Sequence, residues 1–328
     1  MLNYFKQSFI SQQITIVVMA IVLWLPAFFS KSAFIPGEYN TPLYNIMAAL
    51  VNFSPIITNV IAFAVYLTSI FLFNSILSAN RLVNKNSTIG AFTFTLMMCC
   101  SGELHSCYPF IMACPFILMT MHTLFLIYQT DTPENYMMNV GYFIAIASLF
   151  YYPSVFLLIW VLISFFILGF NSLRHAMIPV TGFMLVNLIL IGVSFLFGGV
   201  DNLLNSYSLY FKNIDFSFSL SSSEMVILSI NVVLFIVSLL IVLGNNSDKG
   251  TNVRKRIGVA VALTFFAAFM LFVNKPLMSN MLIFMMLSFF YAIALSEIKK
   301  SRIANIVMFL MLLMILANQY LPLLSLTI

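Results

Sequence analysis

Residues 146–169 read IASLFYYPSVFLLIWVLISFFILG, twenty-four positions without a single charged side chain. A strand crossing a membrane alternates apolar and polar residues over about ten positions, whereas a helix needs about twenty continuous apolar residues to cover ~30 Å of hydrocarbon. This run does not alternate, so it reads as helix, and only Tyr151, Tyr152 and Pro153 interrupt it. That interruption divides it between two apolar runs, 136–151 and 154–170. Working outward, further runs fall at 14–34, 55–77, 88–100, 108–128, 176–197, 224–243, 257–273, 279–296 and 303–320. The whole chain shares this texture: 62% of its 328 residues are hydrophobic, 7% are charged, 35 are Phe and 21 are Met. No soluble core hides that much apolar surface. The sequence therefore predicts an all-α fold, a polytopic transmembrane helix bundle of about eleven spans forming one integral membrane domain over residues 1–328.

Charge supplies an independent test of the count. With the N-terminus cytoplasmic, the inner connectors hold Lys6, Arg81, Lys85, Arg174, Lys249, Arg254, Lys255, Arg256, Lys299, Lys300 and Arg302, eleven of the fourteen bases. Only Lys31, Lys212 and Lys275 fall outside, the bias that the positive-inside rule describes, and it places the C-terminus on the outer side. The bases are scattered through short connectors, which argues against nucleic acid as a partner of this chain of net charge +5. The first segment, MLNYFKQSFISQQ, lacks a cleavage pattern and reads as retained, with Phe5, Phe9 and Ile10 laid on the inner interface. Cys99, Cys100, Cys107 and Cys114 form no CxxC pair and read as packing residues.

The outer side carries the connectors 35–54 and 198–223 and the short loop 101–107. Within LYNIMAALVNF (43–53), Leu43, Ile46, Met47 and Leu50 recur at helical spacing and mark an amphipathic interfacial segment; residues 200–215 repeat the pattern more weakly. Glu38 stands in FIPGEYNTPLYN, where Pro36, Gly37 and Pro42 set a turn, and Glu103 stands in SGELHSCYPF (101–110). Both acids fall at the mouth of a predicted helix on the same outer level. An acid pair there can deprotonate a hydroxyl, hold a divalent cation against a phosphate or bind a cationic substrate, while His105 can shuttle a proton or meet a phosphate. The bland reading makes all three hydrated interfacial groups. Down the next run, Tyr108, Met112, Pro115, Met119 and His122 share one face, and an imidazole at membrane depth needs a partner inside the bundle: a substrate, or a Ser, Thr or backbone carbonyl. Tyr108, His122 and Lys212 are the candidate substrate-binding residues. His175 beside Arg174 reads as an interfacial pair, and Thr132 before Pro133 and Glu134 as a helix N-cap with a first-turn acid. No P-loop, nucleophile elbow, dinucleotide fingerprint or HExxH occurs, so the sequence names no cofactor and no metal site.

Two resemblances follow from these stretches. NRLVNKNSTIGAFTF (80–94), the 146–169 run and LRHAMIPVTGF (173–183) resemble a family of multi-pass inner-membrane proteins of Gram-negative bacteria, catalogued as a domain of unknown function and sometimes labelled carotene monooxygenase. That label implies four iron-binding histidines, and this chain has 3 His in all. The resemblance implies the bacterial inner membrane, with the N-terminus cytoplasmic and the C-terminus periplasmic. In layout, Glu38, the amphipathic 43–53 segment and Glu103 resemble the GT-C class of membrane glycosyltransferases, which take a sugar from a polyprenyl-phosphate carrier. The likeness implies envelope glycan assembly, with Glu38 or Glu103 as base or metal ligand and His105 or Lys212 meeting phosphate. A non-catalytic subunit of an envelope machine with a membrane-protein partner, and a transporter or flippase, are the alternatives. Membrane lipids are the partners common to all three.

Overall fold

The computed structural model describes residues 1–7, 9–29, 41–51, 55–100, 108–128, 130, 132–212, 222–245, 249–273, 281–298 and 301–325. Among the described residues there is no strand; every regular element is a helix. The helices are α1 (Leu2–Phe5), α2 (Ile10–Phe29), α3 (Pro42–Val51), α4 (Pro55–Ala79), α5 (Ile89–Met98), α6 (Pro109–Ile127) and α7 (Pro133–Phe150). After a 3-10 turn at Tyr152–Phe156 come α8 (Leu157–Leu168), α9 (Leu173–Leu196), α10 (Val200–Lys212), α11 (Ser222–Gly244), α12 (Thr251–Val273), α13 (Met281–Glu297) and α14 (Ser301–Ser325). Among the described residues, four stretches are long and apolar enough to cross a membrane: Ile10–Phe28, Ile56–Ala79, Pro109–Ile127 and Leu173–Leu196. Shorter apolar helices, including Tyr152–Leu168 and Met281–Glu297, accompany them. The run expected at 88–100 is one of these: α5 has 10 residues, about 15 Å of helix, half of what a bilayer core requires.

Two helices make the centre. Every residue of α5 is buried, and so is every residue of α13 from Met281 to Leu295, which is what helices apolar on all sides do. They pack on each other, with α11 against α13 and α4 against α5. Thr93 spans the α5–α13 seam by donating to the Ser288 carbonyl at 3.2 Å. A second layer runs α4, α6, α7, α9, and α8 packs on α12, where the buried Trp160 indole donates to the Val259 carbonyl at 3.1 Å. The rim differs: α9 exposes Leu188, Ile189, Phe195 and Leu196, an apolar face that suits lipid.

The crossing of α7 and α9 is set by glycine. A Cβ at Gly141 would stand 2.1 Å from the Pro179 carbonyl oxygen, and one at Gly182 would stand 2.6 Å from that of Met138. The two backbones touch because neither position carries a side chain, the small-residue contact by which membrane helices associate.

One local expectation is corrected. Phe5 does not lie on the interface: it is buried, its ring 4.5 Å from Phe92, and its carbonyl accepts from the Thr88 N–H at 2.8 Å, while Phe9 and Ile10 are exposed. The α1 segment is thus a plug under α5, with the Leu2 N–H donating to Asn305 Oδ1 at 2.7 Å. Thr132 occupies the N-cap of α7 but makes no side-chain cap bond; Glu134 turns to Arg174, 3.9 Å away. Of the 200–215 segment, the described α10 packs on α9, with Tyr207 donating to Asn187 Oδ1 at 3.2 Å and its ring 4.9 Å from that of Tyr152.

Candidate functional site at the basic end of the bundle

Glu38, Glu103 and His105 lie outside the described residues, as does Cys107. Tyr108 and His122 stand far apart on α6. Tyr108 is the half-buried N-cap of α6. His122 sits fourteen residues further along that helix, a rise of about 21 Å. Lys212 is exposed at the end of α10. The imidazole's partner is neither hydroxyl nor carbonyl: the Asn80 side-chain amide faces Nδ1 at 3.4 Å. Cys99, Cys100 and Cys114 are buried and unbridged.

The described structure gathers its polar groups at the other end of α6. There the C-termini of α4, α6, α8, α11 and α13 meet the N-termini of α5, α7, α9 and α12. Each helix C-terminus leaves carbonyls without intrahelical donors and carries the negative end of the helix dipole. A cation meets each of them. Arg256 is buried and forks between two helices, with one guanidinium nitrogen 2.8 Å from the Asn80 carbonyl after α4 and the other 3.3 Å from Phe125 in the last turn of α6. Lys255 donates to the Leu168 carbonyl of α8 at 2.8 Å and stands 4.0 Å over the Tyr128 ring. Lys249 reaches Val242 of α11 at 3.4 Å, and Lys6 reaches Ile298, just past α13, at 3.3 Å. Among the described residues one carboxylate enters this group: Glu297 pairs with Lys249 at 2.5 Å and accepts from Asn245 at 3.0 Å.

Beside this cluster is a cavity of about 870 Å³, walled by Ser78, Ala79 and Arg81–Lys85, by Lys249, Gly250, Val253 and Ile257, and by Ser296 and Glu297. Arg81 is at its lip in an unusual conformation. Its φ of 57° puts a non-glycine residue in the left-handed region. The Leu82 N–H reaches back to the Leu77 carbonyl at 3.0 Å and the Arg81 N–H to Ser78 at 3.2 Å, the pattern that closes a helix with glycine at the position Arg81 holds. An L-residue there costs about 1–2 kcal/mol relative to glycine. Among the described residues neither Arg81 nor Lys85 joins an ion pair.

Chemically, this end can hold negative charge. Arg81, Lys85 and Lys249 line one cavity beside the N-terminal end of α12, and among the described residues its one acid, Glu297, is already shared with Lys249. The inner-connector bases that charge counting assembled are the same residues, but their division into structural caps and cavity lining was not read from the sequence. One signal was available: Arg254, Lys255 and Arg256 are consecutive on a helix and point about 100° apart, so one of them must face inward. The chain matches no protein-family model, and no curated protein is similar to it.

Proposed function

We propose that this membrane protein belongs to the bacterial inner membrane, crosses it about eleven times with the basic end cytoplasmic, and acts at the opposite, periplasmic end as a GT-C-like transferase. Its substrate is a sugar carried on polyprenyl phosphate, used in envelope glycan assembly; Glu38 and Glu103 serve as base or cation ligand and His105 meets phosphate or carries the proton. The membrane reading rests on the apolar helices themselves. The orientation draws support from the concentration of Lys and Arg at one end of the bundle.

One contact chain carries the transferase reading. Thr41, the first described residue after 30–40, donates to the Phe150 carbonyl at 2.9 Å. Its neighbour Tyr151 meets Phe110 edge to face at 5.5 Å, and Phe110 is two residues past Tyr108, the first described residue after 101–107. The described flanks of the Glu38 and Glu103 segments are therefore neighbours, as a shared site requires. The test is complementation of a deletion strain by Glu38→Gln, Glu103→Gln and His105→Ala, with membrane abundance followed by blot. Loss of function by both Gln variants at normal abundance is the expected result; full complementation by all three removes the transferase reading.

A second reading, a non-catalytic membrane subunit, is favoured by a different observation. The centre of the bundle is filled by α5 and α13, while α9 leaves an apolar flank open. A filled centre also gives a transporter or flippase no described path. Copurification of one membrane protein in fixed ratio, lost on polar substitution of Leu188 and Ile189, would favour this reading.

A further inference from the structure

We infer that the cavity between the α4–α5 loop, the start of α12 and the end of α13 is a binding site for a phosphate-bearing anion. The site is independent of the transferase reading, because it lies at the basic end. Arg81 and Lys85 supply two cationic side chains without an ion-pair partner among the described residues, and Lys249 supplies a third, shared with Glu297. Gly250 and Val253, at the start of α12, wall the cavity, so the positive end of that helix dipole lies beside it.

A structural role accounts for Arg256, Lys255 and Lys6, each of which caps a helix. It does not account for Arg81. The helix end it closes is built for glycine, which would relieve the left-handed φ and leave the Leu82 and Arg81 N–H bonds in place. A strained arginine at a cavity lip, near the buried Arg256 cation, raises local positive potential, and among the described residues the one carboxylate in the lining, Glu297, is paired with Lys249 rather than Arg81. A cavity of about 870 Å³ exceeds what an isolated phosphate fills, so the anion carries a further moiety. Phosphate on a lipid headgroup and phosphate on a soluble metabolite share this chemistry, and basic cavities between membrane helices suit both.

The experiment uses full-length protein in a neutral detergent, reading the thermal midpoint at constant ionic strength. One arm adds dioleoylphosphatidate, with dioleoylphosphatidylcholine as control; the other adds inorganic pyrophosphate, with chloride as control. The expected result is that one arm raises the midpoint of the wild type. In Arg81→Gly and in Lys85→Ala the apparent affinity for that probe falls about tenfold, the worth of one charge-assisted contact. Lys212→Ala, on α10, retains the wild-type response. The unliganded Arg81→Gly variant melts no lower than wild type, which separates lost binding from lost folding, and Lys85→Ala in the exposed loop is the second safeguard. A response only to phosphatidate assigns a lipid headgroup; a response only to pyrophosphate assigns a soluble anion. No shift in either arm, or an undiminished shift in both variants, overturns the inference.

Discussion

At the scale of single residues, cations divide by what they touch. Arg256 is held by two carbonyls at the ends of α4 and α6, so its removal leaves two buried acceptors without donors. Arg256→Ala should cost about 2–4 kcal/mol of stability, since hydrogen bonds to charged groups exceed neutral ones and orphaned buried acceptors add a penalty. Arg256→Lys should recover only part of that, because an ammonium is a single point of charge and cannot fork between two carbonyls. Chemical unfolding in detergent, with equal slopes for wild type and variant, measures both. A loss equal to that of an exposed base such as Arg254 would contradict the assignment. His122 shows what could and could not be read in advance. The need for a polar partner followed from a polar ring among apolar residues; that the partner would be Asn80, forty-two positions earlier, depended on how α4 and α6 pack.

Elements were legible where length and periodicity agree and less so where packing overrides length. The runs at 55–77, 108–128 and 176–197 correspond to α4, α6 and α9. The 88–100 run yields α5, too short to cross alone and buried on every side. The α7–α9 crossing was not signalled, because Gly141 and Gly182 are forty-one positions apart and nothing local pairs them. Gly141→Ala and Gly182→Ala should each destabilise by about 1–3 kcal/mol, the usual cost of forcing atoms into a packed seam. Gly192, which faces open space on the same helix, should accept Ala with no loss. Thermal midpoints of the three variants in one detergent decide the matter; equal midpoints would mean the helices separate without cost. Tyr207→Phe offers a smaller effect, about 1 kcal/mol, from losing its bond to Asn187 while keeping the ring against Tyr152.

At the scale of the whole molecule, the described C-termini of α4, α6, α8, α11 and α13 share the basic end with the N-termini of the helices that follow them, so successive helices reverse direction there. The positive-inside rule then predicts a cytoplasmic loop at 245–256 and, for an odd number of crossings, an outer C-terminus. A phosphatase fused after residue 328 should be active and a fluorescent protein at the same point dark, with the reverse pair after residue 248. A dark phosphatase beside a bright fluorophore at 328 would overturn the count.

The sequence alone determined that the chain is helical, membrane-embedded and charge-asymmetric. These properties are sums over the chain: continuous apolar runs exclude strands and soluble cores, and Lys and Arg are excluded from hydrocarbon wherever they occur. It also proposed Glu38 and Glu103 as a pair, a proposal whose described flanks are joined through Thr41, Phe150, Tyr151 and Phe110. Only the tertiary structure decided which helices are central, which base is buried and which lines a cavity. Arg254 and Arg256 are the same residue type two positions apart, one exposed and one buried against carbonyls of two other helices. Burial of that kind depends on groups distant in sequence that meet only when the helices pack, and no local pattern encodes that meeting.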